Sequence, residues 1–205
     1  MQKPLTNTVT INGLNTILFD NDVNQDGDQM LTSGNPTTGS DDLSLFFVVK
    51  QTALPATSSS PWLFSAGSGA SRFLAHAPWT NGQYIFDIGG TGAGNRLFAP
   101  GAVTAGEELI SNFVVESGAS PNGKQQIWKN GSVFLEDDSG ETFTRGTNMV
   151  VGTRSHLAIG EFLLIHGIVT QSDRQKTEGY LAHKWGQTGS LPAGHPYKSN
   201  RPVKG

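Results

Sequence analysis

Short runs of β-branched and aromatic residues recur along this chain, each bounded by Gly, Asn, Asp or Pro. That rhythm points to a sandwich or barrel built from many short strands. The runs are Asn15 to Asp20, Leu43 to Lys50, Gln83 to Ile88, Leu109 to Glu116, Gln125 to Lys129, Ser132 to Leu135, Asn148 to Val151 and Phe162 to Thr170. Glycine supplies 26 of the 205 residues, well above an average near 7%, as a fold with many turns requires. Lys129-Asn130-Gly131-Ser132 sets Asn-Gly between two runs and predicts a type I′ hairpin. The same letters spell a glycosylation sequon, which a tight turn without a signal peptide disfavours.

One helix is predicted against this background. Ser172 caps it, with Gln175 three positions on as a capping box, and Gly186 stops it after Trp185. Thr177, Tyr180, Leu181 and Trp185 form the stripe expected to pack on a sheet. Gly179 inside the helix costs about 1 kcal/mol relative to Ala, so a close backbone approach is expected there. Leu191 to Tyr197 reads as an extended tail over the surface. The sequence shows no internal boundary or repeat, so one domain is expected, with a core from about residue 12 to 198. Polar arms over 1–8 and 199–205 flank it.

Several classes are set aside. The longest apolar runs, Leu45 to Val49 and Phe162 to Ile165, are too short to span a bilayer, so no membrane is expected. A net charge of −3 with scattered Lys and Arg gives no footprint for nucleic acid. The absence of cysteine removes disulfides and thiolate metal sites. The N-terminus has no basic start followed by an apolar core, so synthesis in a cytoplasm without a secretory signal is expected.

Four constellations carry chemistry. Asp22-Val23-Asn24-Gln25-Asp26-Gly27-Asp28 matches the first half of a calcium loop, with hard oxygens at alternate positions and a glycine for the turn. Asp22, Asn24, Asp26 and Asp28 are the candidate ligands and Ca²⁺ the candidate cofactor; the second half fails, because position twelve is Ser33. Glu136 to Glu141 has the letters of a glycosidase pair, but Asp, Ser and Gly between the acids predict a turn. Retaining hydrolysis needs two carboxylates held about 5–5.5 Å apart, so no catalytic residue is assigned. Gly89 to Gly94 lacks the Lys-Ser/Thr and following helix of a phosphate loop and reads as a hairpin loop. Aromatic faces offer platforms for sugar rings: Trp128 and Trp185 fall in core patterns. Trp79, Asn81, Tyr84 and Asp87, around a Pro-Trp-Thr-Asn-Gly turn, make the candidate glycan site.

The stretch Ser172 to Gly186, with Leu191-Pro192 and His195-Pro196-Tyr197-Lys198, resembles the closing signature of laminin-G-like, concanavalin-A-like modules, which are common in bacteriophage proteins. Asn12-Gly13 to Asp20 with Asp28 to Leu31, Ala75 to Gly82 with Tyr84 and Asp87, and Ile127 to Gly131 resemble further segments in the family's order. The resemblance implies an all-β, two-sheet antiparallel jelly roll with one short C-terminal helix. It leaves function open, since this sandwich hosts lectins, glycosidases and virion proteins alike. Two readings follow. The first is a non-catalytic phage virion surface protein, a capsid decoration (cement) protein or a tail-fibre or tail-tip component. Its partners would be capsid or tail proteins, with a trimer as the favoured assembly. The second is a carbohydrate-binding, lectin-like module, calcium-assisted, that recognises host-surface polysaccharide.

Overall fold

The computed structural model describes residues 3–20, 28–36, 41–55, 64–68, 71–91, 94–118, 122–138, 143, 147–153 and 155–203. Its strands are β1 (Leu5–Ile11), β2 (Leu14–Asp20), β3 (Met30–Leu31), β4 (Leu43–Gln51), β5 (Phe64–Ser68), β6 (Ser71–His76) and β7 (Tyr84–Ile88). They continue with β8 (Arg96–Ala99), β9 (Glu108–Glu116), β10 (Lys124–Lys129), β11 (Ser132–Asp137), β12 (Val150–Val151) and β13 (His156–His166), followed by helix α1 (Gln171–Lys184). Two sheets result, a seven-stranded one ordered β1-β2-β13-β4-β9-β10-β11 and a six-stranded one ordered β3-β12-β5-β6-β7-β8. The described pairings are antiparallel. This is the expected β-sandwich with one short C-terminal helix.

Side chains alternate across each strand, so the larger sheet carries two apolar faces. Leu43, Leu45, Phe47 and Val49 of β4 join Phe73, Tyr84, Phe86 and Phe113 in the core between the sheets. Phe46 and Val48 point the other way, against Ile110, Leu181, Ala182, Trp185 and Leu191. β4 is therefore apolar on both faces because α1 roofs the outer one. Two polar contacts cross the sandwich. Gln125 Nε2 donates to the Phe86 carbonyl at 2.7 Å, and the Tyr84 hydroxyl meets Ser111 Oγ at 3.3 Å. Burial pushes the Tyr84 phenol well above its ordinary range.

Turn chemistry follows the sequence closely. Asn130 and Gly131 have φ of 50° and 80°, the double positive pair of a type I′ turn, between β10 and β11. Gly186 has φ 70° directly after the C-cap Trp185. The start of the helix is corrected. Its N-cap is Thr170, whose hydroxyl accepts the Asp173 N–H at 3.1 Å, and not Ser172. The buried stripe is corrected too. Arg174, Glu178, Leu181 and Ala182 face the sheet, whereas Tyr180 is 42% exposed. Gly179 meets the tail, where an added Cβ would sit 2.4 Å from that of Tyr197. The expected N-terminal arm is corrected in the same way. Leu5 to Thr8 belong to β1, paired with β2 through Leu5↔Leu18 and Thr6↔Ile17.

Two polar clusters fasten α1 and the tail. Glu178, on the buried face, accepts Arg174 Nη1 at 2.7 Å and faces His195 Nε2 at 3.1 Å. The Tyr197 N–H donates to His195 Nδ1, so the imidazole proton sits on Nε2 and is given to Glu178. The Arg174 guanidinium lies 3.4 Å from the centre of the Trp128 ring, which is half-buried. The second cluster is centred on Glu161, which accepts Tyr180 Oη at 2.8 Å, Trp185 Nε1 at 2.8 Å and pairs with Lys184 at 3.0 Å.

Burial alone would raise the Glu161 carboxyl, but the Trp185, Lys184 and Tyr180 donors outweigh it and hold it below the usual range. With the folded value below the unfolded one, its contribution to stability is complete above about pH 4.3, the ordinary glutamate value. It drains away as pH falls through the folded value. Thermal melts between pH 6 and pH 3 should therefore show a shallower acid slope for Glu161→Gln than for the parent. An unchanged slope would remove Glu161 as a source of acid sensitivity.

Candidate functional site

The segment holding the expected glycan residues runs from the end of β6 through a tight turn into β7. Within β7 the inner face carries Tyr84, Phe86 and Ile88, which belong to the sandwich core. Ile85 and Asp87 therefore take the outer face. Tyr84 and Asp87 lie three positions apart, an odd number, so one strand cannot present both to one ligand. Tyr84 is 1% exposed and bonded to Ser111; it is a core residue and is corrected as a contact for sugar. Trp79 stands at the turn, half-buried, with its ring edge-on to His76 at 4.3 Å between centroids. Its N–H donates to the Gln83 carbonyl at 2.6 Å. Asn81 occupies a 3-10 turn, Thr80–Gly82, between β6 and β7.

The outer face of the small sheet has two rows. The pairings His76↔Ile85 and Ile85↔Phe98 make one, and Leu74↔Asp87 and Asp87↔Arg96 make the other. Phe98 is 48% exposed. Asp87 is wholly buried beneath two arginines. Arg96 grips it with Nε on Oδ1 at 2.5 Å and Nη2 on Oδ2 at 2.7 Å. Arg72 reaches Oδ2 through Nη2 at 2.6 Å and Nε at 3.2 Å. The hydrogen bonds that Arg96 donates to Asp87 raise its pKa above the ordinary value. Asp87 is thus a buried anchor, not a group that reaches a ligand. What reaches solvent is the pair of guanidinium groups, with side chains 23% and 31% exposed. These two arginines share the face with Phe98, and Trp79 stands at its end against His76.

Arg72, Arg96 and Phe98 were not found from the sequence. A signal was present, since Asp87 and Arg96 flank the Gly-rich hairpin loop at symmetric distance. Recognising β8 as a strand would have paired them.

Of the candidate calcium ligands, Asp22, Asn24 and Asp26 lie outside the described residues. Asp28 is 4% exposed, and its Oδ2 accepts the Asp20 N–H at 3.3 Å, so one oxygen faces the end of β2. Among the described residues no group of three or more His, Cys, Asp or Glu is placed to hold a metal ion. The acidic run is corrected in shape. Glu136 and Asp137 are the last residues of β11, on opposite faces, and Glu136 accepts Gln126 Nε2 at 2.9 Å.

No family model and no curated protein matches this chain. Similarity appears among solved structures. The receptor-binding domain of botulinum neurotoxin type G aligns with a TM-score of 0.59 at 11% identity over 85% of this chain and 44% of its own. A botulinum neurotoxin type C structure, described by cell entry dependent on interaction with two ganglioside molecules, gives 0.61 at 9% identity over 87% and 46%. The binding domain of botulinum neurotoxin DC in complex with SialylT gives 0.59 at 11% over 87% and 46%. This chain therefore spans less than half the length of the structures it resembles, and at such identity the likeness establishes the β-sandwich fold.

Proposed function

We propose that this protein is a non-catalytic carbohydrate-binding module that engages glycans on the outer face of its six-stranded sheet. The observation that carries this reading is the juxtaposition there of exposed Phe98 and half-buried Trp79 with the guanidinium groups held on Asp87. Aromatic rings stack on the apolar faces of sugars, and the guanidinium N–H groups of Arg96 beyond those given to Asp87 donate to their oxygens. Support also comes from neighbours of the same fold that are described with gangliosides and with SialylT.

A glycan array probed with the purified protein tests the reading. Trp79→Ala and Phe98→Ala should each weaken a positive signal about tenfold, the equivalent of about 1.4 kcal/mol, and Phe98→Ala should do so with the melting temperature nearly unchanged. A silent array, or binding indifferent to both substitutions, would count against a sugar site on this face. Repeating the array in EDTA separates a calcium-assisted module from one that needs no ion.

The finer reading places this module on a phage virion, as a trimeric decoration protein or a tail component. It rests on the sequence resemblance to phage-borne modules. Light scattering of the free protein and co-sedimentation with virions test it, and a protein that neither trimerises nor sediments would sink it.

A further inference from the structure

At one end of the sandwich the two sheets are unequal. β2 and β13 of the large sheet have seven and eleven residues, while β3 and β12 on the small-sheet side have two each. Phe19, Phe162 and Leu164 line this end of the sandwich. Between these residues and Met30, Leu31 and Met149 lies a cavity of about 270 Å³. Native interiors hold few voids larger than a water molecule. Engineered apolar cavities of roughly 150 Å³ stay dry and take benzene.

The lining chemistry narrows what could enter. Among the described residues Thr32 is the single polar side chain on the wall, and its hydroxyl is committed. It donates to the Gly34 carbonyl and accepts the Met149 N–H at 2.8 Å. The described wall is thus apolar in character. Met30 and Leu31 are 43% and 46% exposed, so the cavity communicates with solvent through an apolar lip. Two methionines on the wall suit a guest of variable shape, since their unbranched side chains repack at little cost.

We propose that this cleft binds the alkyl tail of a single-chain amphiphile, with the polar end left outside the lip formed by Met30 and Leu31. By proportion to the benzene cavity, the volume takes about ten carbons. The site is separate from the arginine-aromatic face and does not depend on the glycan reading.

Calorimetric titration of the full chain with straight-chain carboxylates of six to sixteen carbons, below their micelle concentrations, tests it. Affinity should rise about fourfold per methylene up to about ten carbons and then level off, with a negative heat-capacity change. Leu164→Trp and Val151→Phe, which put ring atoms into the void, should each weaken decanoate binding at least tenfold without lowering the ligand-free melting temperature. If one of these does not fold, the other and the chain-length plateau still decide.

Four results would overturn the proposal. One is no decanoate binding by the parent protein at millimolar concentration. Another is affinity that climbs without a plateau to sixteen carbons, which marks adsorption on a surface. A third is a folded, filled variant that binds like the parent. Binding to dioleoylphosphatidylcholine vesicles without binding to decanoate would also overturn it, in favour of a membrane-docking lip.

Discussion

Glu178→Ala should lower stability by about 3–5 kcal/mol, the usual cost of removing one partner from a buried ion pair. For a chain of this size that corresponds to a fall of about 10 °C in melting temperature. The magnitude follows from what the carboxylate holds. Its side chain is 1% exposed, and each oxygen is engaged, one by Arg174 and the other by His195. Alanine leaves a guanidinium buried against Trp128 with no counter-charge, and leaves the imidazole N–H with no acceptor. The damage spreads to the tail, because His195 and the Tyr197 packed on Gly179 hold that segment on the helix. Glu178→Gln keeps an acceptor and should lose less. The combined Arg174→Met, Glu178→Leu, His195→Leu chain should recover much of the loss, since apolar replacement of a whole buried cluster is often neutral or stabilising. A melting temperature within 2 °C of the parent for Glu178→Ala would show that the cluster contributes little.

Gly152→Ala should be comparably damaging, by about 3–5 kcal/mol from two additive causes. Gly152 has φ 82°, in the left-handed region, which costs an L side chain about 1–3 kcal/mol. A Cβ built there would stand 2.0 Å from the Phe19 ring, and Phe19 is 1% exposed in the core. Phe19 also borders the cavity described above, so how far its ring yields into that space sets where in this range the loss falls. Gly167→Ala is the matched control, since Gly167 has φ 86° with nothing within 4 Å of its Cβ. It should show the backbone cost alone. Chemical denaturation of the pair separates the terms, and equal losses would mean that the Phe19 contact is harmless.

The parts of this fold that the sequence announces are those specified by local chemistry. Asn130-Gly131 and Gly186 sit where only residues tolerant of positive φ fit, and the apolar runs that became β4, β7, β9 and β10 needed no tertiary knowledge. The misplaced cap shows a limit of the same reasoning. Thr170 and Ser172 both offer a hydroxyl with a polar partner three residues on, and only docking of the helix chooses between them. β1 escaped notice because an edge strand with mostly exposed side chains has no buried face to pattern its sequence. β13 was cut short because a bulge between Ile159 and Glu161 shifts the alternation. An added Cβ on Gly160 there would approach the Trp185 ring within 2.7 Å. In the candidate site, Trp79 could be picked out as an aromatic at a turn. Arg96 was legible only through its symmetry with Asp87 about the Gly-rich loop, and Arg72 not at all, because its meeting with Asp87 depends on how β6 docks on β7.

The strand order also dictates how this chain must be made. β2 and β4 both emerge well before the strand that joins them, β13, which begins only at His156. Until then the ribosome-bound chain carries a two-stranded β1–β2 ribbon, marginal by itself, and a β4 with apolar residues on both faces and one open edge. Such an edge is a template for wrong pairing. Joining strands so distant in sequence is slow. Fragments ending before His156 should therefore collect in inclusion bodies, while emergence of β13 and α1 closes the large sheet and brings the helix down on it in one cooperative step.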